Sequence, residues 1–137
     1  MHRLEHANLS VHDPDAITRF MLAAFPGFRI RGEGLDDYGR VWRHVGDHES
    51  YVALQAVPSG PHRTPYGNTA GLNHLGFEVD DFDALRARLQ AAGFAHNLLF
   101  ADHPARRRIY FHDPEGNDWE FIEYSTSDRA ARHDYAH

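Results

Sequence analysis

The chain has no cysteine among its 137 residues, which excludes disulfide bonds, thiolate nucleophiles and zinc–thiolate sites. It also lacks an apolar run of membrane-spanning length, and its first residues lack the apolar stretch of a signal peptide. A surplus of basic residues is missing too: the net charge is −6, and the one basic cluster, Arg106–Arg108, is too short to form a nucleic-acid surface. We therefore expect a globular cytoplasmic protein with no nucleic-acid and no membrane partner.

What the chain does contain is the same pattern twice. A shift of 68 positions aligns residues 4–24 with residues 72–92 without a gap and gives eight identities in 21 positions. Among these identities, His6 recurs as His74. A repeat of about half the chain predicts two similar modules, and the matched histidines indicate that the two modules offer equivalent groups to one shared site.

Each copy has the pattern of a strand, a helix and three further strands. In the first copy the strands are expected at 4–11, 28–31, 41–45 and 51–57, with a helix that starts at Asp13-Pro14. In the second copy they are expected at 72–79, 94–100, 107–111 and 119–124, with a helix at about 82–92. The predicted fold is α+β: one domain over residues 1–137, with paired βαβββ modules at 3–57 and 71–124, a linker at 58–70 and a polar, irregular surface tail at 125–137.

Strand alternation divides the side chains between two faces. The apolar side chains should pack against the helices as a core, namely Leu9, Val11, Leu54, Phe77, Val79 and Phe121. The opposite faces should present His6, Gln55, His74 and Glu120. Two imidazoles, a carboxylate and an amide can bind a divalent cation and leave coordination positions open for a substrate. The other histidines, such as His112, are expected to be structural or solvent-exposed, because a lone histidine is rarely a ligand.

This organisation resembles the vicinal oxygen chelate superfamily, which includes glyoxalase I, methylmalonyl-CoA epimerase, extradiol dioxygenases, fosfomycin-modifying enzymes and bleomycin-binding proteins. The resemblance covers residues 3–124. It implies a glyoxalase-like fold in which two βαβββ modules form a cup around a metal ion, with His6, Gln55, His74 and Glu120 as ligands. The ion would be nickel, cobalt, zinc, manganese or iron(II). We expect a homodimer, with the cup closed either within one chain or across the dimer.

Three activities remain open within the superfamily. The favoured one is a glyoxalase or epimerase type of lyase or isomerase, in which the cation acidifies a C–H bond next to a carbonyl and a carboxylate moves the proton. Glu120 is the candidate base, or else a loop acid such as Asp36 or Asp37. The set of two histidines, a glutamine and a glutamate is the one that methylmalonyl-CoA epimerase carries.

The second activity is iron(II)-dependent oxygenation of a catechol-like substrate. The stretch from His103 through Tyr110 and Asp113-Pro114-Glu115-Gly116 to Glu120 resembles the extradiol dioxygenase signature. By that resemblance His103 and Tyr110 contact the substrate, while His6, His74 and Glu120 bind iron. The third possibility is a metal-free binding protein of the bleomycin-resistance type.

Overall fold

The computed structural model describes residues 1–136, so His137, the last residue of the predicted tail, lies outside the described residues. The chain divides into two compact units, the first spanning Met1–His62 and the second beginning at Arg63, so that the boundary falls inside the predicted linker. Each unit contains one four-stranded mixed sheet. This confirms the predicted α+β class with paired βαβββ modules. Among the described residues, no helix has the length and apolar character needed to cross a membrane.

The first unit has the predicted element order. Its elements are β1 (His6–Val11), α1 (Pro14–Ala24), β2 (Arg29–Leu35), β3 (Val41–Gly46) and β4 (Tyr51–Ala56). The strands lie in the order β1-β4-β3-β2, with β1 parallel to β4 and the other pairs antiparallel. Helix α1 begins where the sequence predicts, because the Asp13 carboxylate accepts a hydrogen bond from the Ala16 N–H at 2.9 Å and Pro14 occupies the first turn.

The second unit repeats this topology and adds a short helix. Its elements are β5 (His74–Glu78), α2 (Phe82–Ala91), β6 (His96–Phe100), β7 (Arg106–His112), β8 (Asp118–Tyr124) and α3 (Arg129–Arg132). The strands lie in the order β5-β8-β7-β6, again with the first pair parallel. Asp81 occupies the N-cap position of α2, but its carboxylate pairs with Arg88 at 2.8 Å instead of capping the backbone.

Helix α1 packs against one face of the first sheet and α2 against one face of the second, and the opposite face of each sheet is called its open face. Of the predicted core residues, three are buried, namely Val11, Leu54 and Phe121. The other three, Leu9, Phe77 and Val79, are half-buried. Leu9 and Phe77 lie on β1 and β5, which form edges of their sheets, and Val79 directly follows β5.

The turn between β7 and β8 is held by one buried carboxylate. Asp113 accepts hydrogen bonds from the backbone N–H groups of Glu115 and Asn117, from the Asn117 side chain and from the Trp119 indole, all between 2.9 and 3.0 Å. Burial raises the pKa of Asp113. Because this turn fixes how β7 and β8 pair, it also fixes which side chains of the two strands lie beside each other.

The predicted surface tail contains one short helix. Residues 129–132 form α3, which Asp128 caps by accepting from the Ala130 N–H at 3.0 Å. Arg132 then pairs with Glu78 of β5 at 2.6 Å, and its guanidinium carbon lies 3.9 Å from the centre of the Tyr124 ring. The tail is therefore attached to the second sheet, although most of its residues remain exposed.

Candidate metal centre

Each of the two repeated histidines has its Nδ1 atom hydrogen-bonded to the side chain of the residue that precedes it. His6 Nδ1 lies 2.6 Å from Glu5 Oε2, and His74 Nδ1 lies 2.8 Å from Asn73 Oδ1. Both partners accept hydrogen bonds, so each Nδ1 carries a proton and each Nε2 presents a lone pair. A hydrogen-bonded second nitrogen that fixes the tautomer in this way is typical of metal-ligating histidines.

The carboxylate of Glu120 lies directly beside His74 on the open face of the second sheet. His74 Nε2 is 3.0 Å from Glu120 Oε2. Gly76 stands level with Glu120 on the neighbouring strand, and a Cβ atom there would come within 3.5 Å of Oε2, so the glycine leaves space at the carboxylate. Since His74 Nδ1 already donates to Asn73, only a positive charge between Nε2 and Oε2 satisfies both atoms. A proton can supply that charge, and so can a metal ion, which makes this pair a fitting half of a cation site.

Tyr110 and Arg108 hold the other oxygen of Glu120. The Tyr110 hydroxyl donates to Oε1 at 2.6 Å, and Arg108 Nη1 lies 3.5 Å from the same oxygen. Burial and the bond to Glu120 raise the pKa of Tyr110, so the phenol keeps its proton as a donor. The guanidinium of Arg108 also lies over the ring of Phe100, with its central carbon 4.9 Å from the ring centre.

Tyr66, in the predicted linker, lies over this group. Its hydroxyl is 3.4 Å from His74 Nδ1, and the two rings are 6.0 Å apart between centres. Its backbone has a φ of +57°, a left-handed conformation that is costly for a residue with a side chain. Burial raises the pKa of Tyr66, so this phenol is protonated as well. A segment predicted as a simple connector thus places an aromatic ring at the site.

In the first unit, the predicted ligand Gln55 lies away from His6. In the pairing of β1 with β4, His6 stands level with Tyr51, whereas Gln55 stands level with Ser10. Four residues along a strand correspond to about 13 Å, at or beyond the limit at which the two side chains could share one ion. In the second unit, Asp118 stands level with His74, and Glu120 lies two residues further along β8. In the first unit, Tyr51 stands level with His6, and the residue two further along β4 is Ala53. Ala53 is therefore the residue that corresponds to Glu120.

Gln55 instead contacts the loop acid Asp36. Its amide Nε2 donates to Asp36 Oδ2 at 3.1 Å, while Oδ1 accepts from the backbone N–H groups of Tyr38 and Arg40 at 2.9 Å. The bond from the Arg40 backbone is the main reason why the pKa of Asp36 is lowered. A carboxylate with a lowered pKa and three donors is a weak base, so Asp36 fits its predicted alternative role poorly.

Aromatic rings cover the open face of the first sheet around His6. The imidazole of His6 stacks on Tyr51 with 4.8 Å between ring centres, Tyr51 stacks on His44 at 4.5 Å, and His44 contacts Trp42 at 5.1 Å. Burial, with the positive charge of Arg31, lowers the pKa of His44. This face offers flat apolar surface for a small ligand, with one free imidazole nitrogen at its edge.

The structure does not bring His103 to Glu120. His103 lies in the loop before β7, where its Nδ1 accepts from the Ala105 N–H and its Nε2 contacts the Asp134 carbonyl oxygen, both at 3.0 Å. Arg106 donates to the same carbonyl oxygen, and Arg106 is four residues, about 13 Å, from Tyr110 along β7. The predicted substrate-binding pair of His103 and Tyr110 is therefore separated, and His103 holds the tail.

Sequence reasoning missed several groups at the site. Glu5 and Asn73 are equivalent in the repeat, so the same 68-residue shift that paired the histidines could have identified them. Arg108 belongs to the basic cluster in which one side chain could have been expected to turn inward. No local signal identifies Tyr66, whose position depends on the path of the linker.

Comparison with known proteins identifies the family to which the chain belongs. Residues 3–121 match the Glyoxalase/Bleomycin resistance protein/Dioxygenase superfamily, and the chain belongs to this superfamily. The chain is also similar to the uncharacterized protein YaeR of Escherichia coli strain K12, with 27% identity over 113 residues, which cover 79% of this chain and 86% of YaeR.

Solved structures show the same fold. A glyoxylase/bleomycin resistance protein/dioxygenase domain from Frankia sp. EAN1pec has a TM-score of 0.77 and 22% identity, covering 98% of this chain and 99% of that one. The fosfomycin resistance protein FosX of Listeria monocytogenes, complexed with Mn(II) and sulfate, has a TM-score of 0.70 and 19% identity, covering 95% and 98%. At such identities these structures establish the fold alone.

Proposed function

We propose that the protein is a metal-dependent enzyme that binds one divalent cation per chain through His74, Glu120 and His6. The observation that carries this proposal is the matched environment of the two histidines, each with an acceptor at Nδ1, together with the Glu120 carboxylate 3.0 Å from Nε2 of His74. Two imidazoles and one carboxylate leave coordination positions open. Carboxylate and imidazole ligands suit Mn(II), and FosX of Listeria monocytogenes has been solved with this ion.

The substrate in this proposal is a small molecule that binds through two adjacent oxygens. Bound there, the cation supplies Lewis acidity that makes a C–H bond next to a carbonyl more acidic. Tyr110 and Arg108 hold the Glu120 carboxylate in place. A variant of the Listeria FosX was solved with Mn(II) and 1S,2S-dihydroxypropylphosphonic acid, whose name describes two adjacent hydroxyl groups.

The reaction in this proposal is proton transfer of the glyoxalase or epimerase type. Glu120 has one oxygen facing His74 and the other accepting from Tyr110, so its role here is that of a ligand and not of the base. The dioxygenase alternative needs His103 at the substrate, and His103 is bonded to the backbone elsewhere. The isomerase or lyase type is therefore the better supported of the two.

The test is exchange of carbon-bound protons with solvent. The protein, loaded with Mn(II), is incubated in deuterated water with hydroxyacetone, dihydroxyacetone, pyruvate and 2-oxobutyrate, and proton NMR is recorded after the ion is removed. Metal-dependent loss of the signal next to the carbonyl supports the proposal. Iron(II)-dependent oxygen uptake with a catechol, measured with an oxygen electrode, would favour the dioxygenase. No reaction in either assay would favour the binding protein.

A further inference from the structure

The three arginines of the basic cluster differ in how their charges are paired. Arg107 donates to two carboxylates at distances between 2.7 and 3.2 Å, and Arg106 donates to two backbone carbonyl oxygens of the tail at 2.9 and 3.0 Å. Arg108 makes its polar contacts through Nη1 alone, which lies 3.5 Å from the Tyr110 hydroxyl and 3.5 Å from Glu120 Oε1. Both distances are longer than those of an ordinary hydrogen bond. Arg108 is therefore the loosely held member of the cluster.

Most of the donors of Arg108 have no acceptor. A guanidinium carries five N–H groups. Within residues 1–136, the N–H groups on Nε and Nη2 of Arg108 have no hydrogen-bond acceptor. The side chain is 36% exposed, so part of it is open to solvent. A guanidinium with unused donors in such a position is suited to binding an oxyanion.

The position of this guanidinium is set by its neighbours in the second sheet. Arg108 stands level with Phe100 on β6, and its central carbon lies 4.9 Å from the centre of the Phe100 ring. A cation over an aromatic ring is attracted to it, which limits the orientations of the long side chain. Arg108 is two residues from Tyr110 on β7, so both side chains lie on the face where Tyr110 stands level with Glu120. The guanidinium therefore lies at the edge of the proposed metal centre.

Glu120 does not need Arg108 for its own hydrogen bonds. Its Oε1 accepts from Tyr110 at 2.6 Å, and its Oε2 lies 3.0 Å from His74 Nε2, whereas Arg108 is 3.5 Å away. In the proposed function, the negative charge of Glu120 faces a bound cation. The positive charge of Arg108 is then available for a second anion, and a substrate can supply one.

The free donors indicate that this anion is a carboxylate. Nε and Nη2 lie on one edge of the planar guanidinium, an edge that matches the two oxygens of a carboxylate. The single charge of a carboxylate also matches one guanidinium better than the charge of a phosphate group does, which is about −2. Arg108 and His74 contact the two oxygens of the same glutamate, so the substrate groups that face them must be close together, as they are in a 2-oxo or 2-hydroxy acid. We propose that Arg108 binds the carboxylate of such an acid, an inference that rests on the proposed function.

The first experiment measures binding without any reaction. The protein is labelled with nitrogen-15 and loaded with Zn(II), which is diamagnetic, and the Arg108 Nε–H signal is identified by its loss in Arg108→Gln. Pyruvate is then titrated in, and hydroxyacetone is the matched neutral ligand because it has the same three carbons and the same ketone. We expect pyruvate to shift the Arg108 signal and hydroxyacetone to leave it in place. Equal shifts with both compounds, or no shift with pyruvate, would overturn the inference.

The second experiment uses the deuterium-exchange assay with Mn(II) and takes the ratio of kcat/KM for the methyl protons of pyruvate to that for hydroxyacetone. This ratio removes any effect of a substitution on Glu120 that is common to both compounds. Arg108→Gln should lower the ratio at least about tenfold, mainly by raising KM for pyruvate, because a hydrogen bond to a charged group is lost. Arg108→Lys should keep part of the ratio, since lysine keeps the charge and loses the planar fork. The control is Arg86→Gln, which removes the same charge from α2 on the other side of the sheet and should keep the ratio.

The outcomes separate this inference from the proposed function. A ratio in Arg108→Gln within twofold of the wild type would overturn the inference and leave the proposed function standing. No exchange by the wild-type protein with either compound would overturn the proposed function alone if pyruvate still shifts the Arg108 signal, and it would overturn both if pyruvate does not.

Discussion

The hydrogen bond from Tyr110 to Glu120 gives the sharpest test of the metal centre. Tyr110→Phe removes the hydroxyl that donates at 2.6 Å and keeps the ring. A hydrogen bond to a charged group contributes about 1.5–3 kcal/mol, and the Glu120 side chain is only 9% exposed, so water replaces the lost donor poorly. Arg108 remains near the same oxygen. We therefore expect the lower part of that range, a loss of about 1.5–2 kcal/mol in the unfolding free energy of the metal-free protein.

The same change should weaken metal binding. Loss of a group that orients a ligand lowers metal affinity by about 10–100-fold. Urea unfolding of the metal-free protein measures the first effect, and competition with a chelator for Mn(II) measures the second. Tyr124→Phe is the control, since Tyr124 lies on β8, the strand of Glu120, but its hydroxyl has no hydrogen bond within residues 1–136. If Tyr110→Phe matches the wild type in both measurements, the reasoning about Glu120 is refuted.

Three further predictions concern other parts of the structure. Asp113→Ala removes all four hydrogen bonds that hold the turn before β8. It should lower the unfolding free energy, measured by urea unfolding, by about 3–5 kcal/mol. A loss below about 1 kcal/mol would contradict this prediction. Gln55→Ala should keep the metal stoichiometry and affinity, measured by the same chelator competition, whereas loss of the ion would restore Gln55 as a ligand. Asp13→Ala should destabilise the protein by about 1 kcal/mol through the lost cap of α1, and an unchanged urea midpoint would argue against that cap.

The fold could be predicted because its signals are local. Asp13-Pro14 marks the start of α1, alternation marks the strands, and the 68-residue repeat fixes the number of modules. The docking of the tail could not be predicted in the same way. It depends on contacts such as that of Arg132 with Glu78, which join residues far apart in the chain.

The sequence predicted which face of the sheet each site residue lies on. It did not predict which residues of neighbouring strands stand level with each other. Alternation correctly placed Gln55 on the face of His6, but the four-residue offset depends on how β1 pairs with β4, which no pattern within either strand determines. Tyr110 is the opposite case. Its level beside Glu120 follows from the short turn at 113–117, which pairs β7 with β8 in one register.

The central claim is that His74, Glu120 and His6 bind one divalent cation, and the direct measurement is elemental analysis combined with Mn(II) titration of purified protein. We predict one ion per chain in the wild type and loss of most of it in His74→Ala, Glu120→Gln and His6→Ala, with the circular dichroism spectrum unchanged. His48→Ala, which alters an exposed histidine of the turn before β4, should retain the ion. Full occupancy in His74→Ala and His6→Ala would contradict the account.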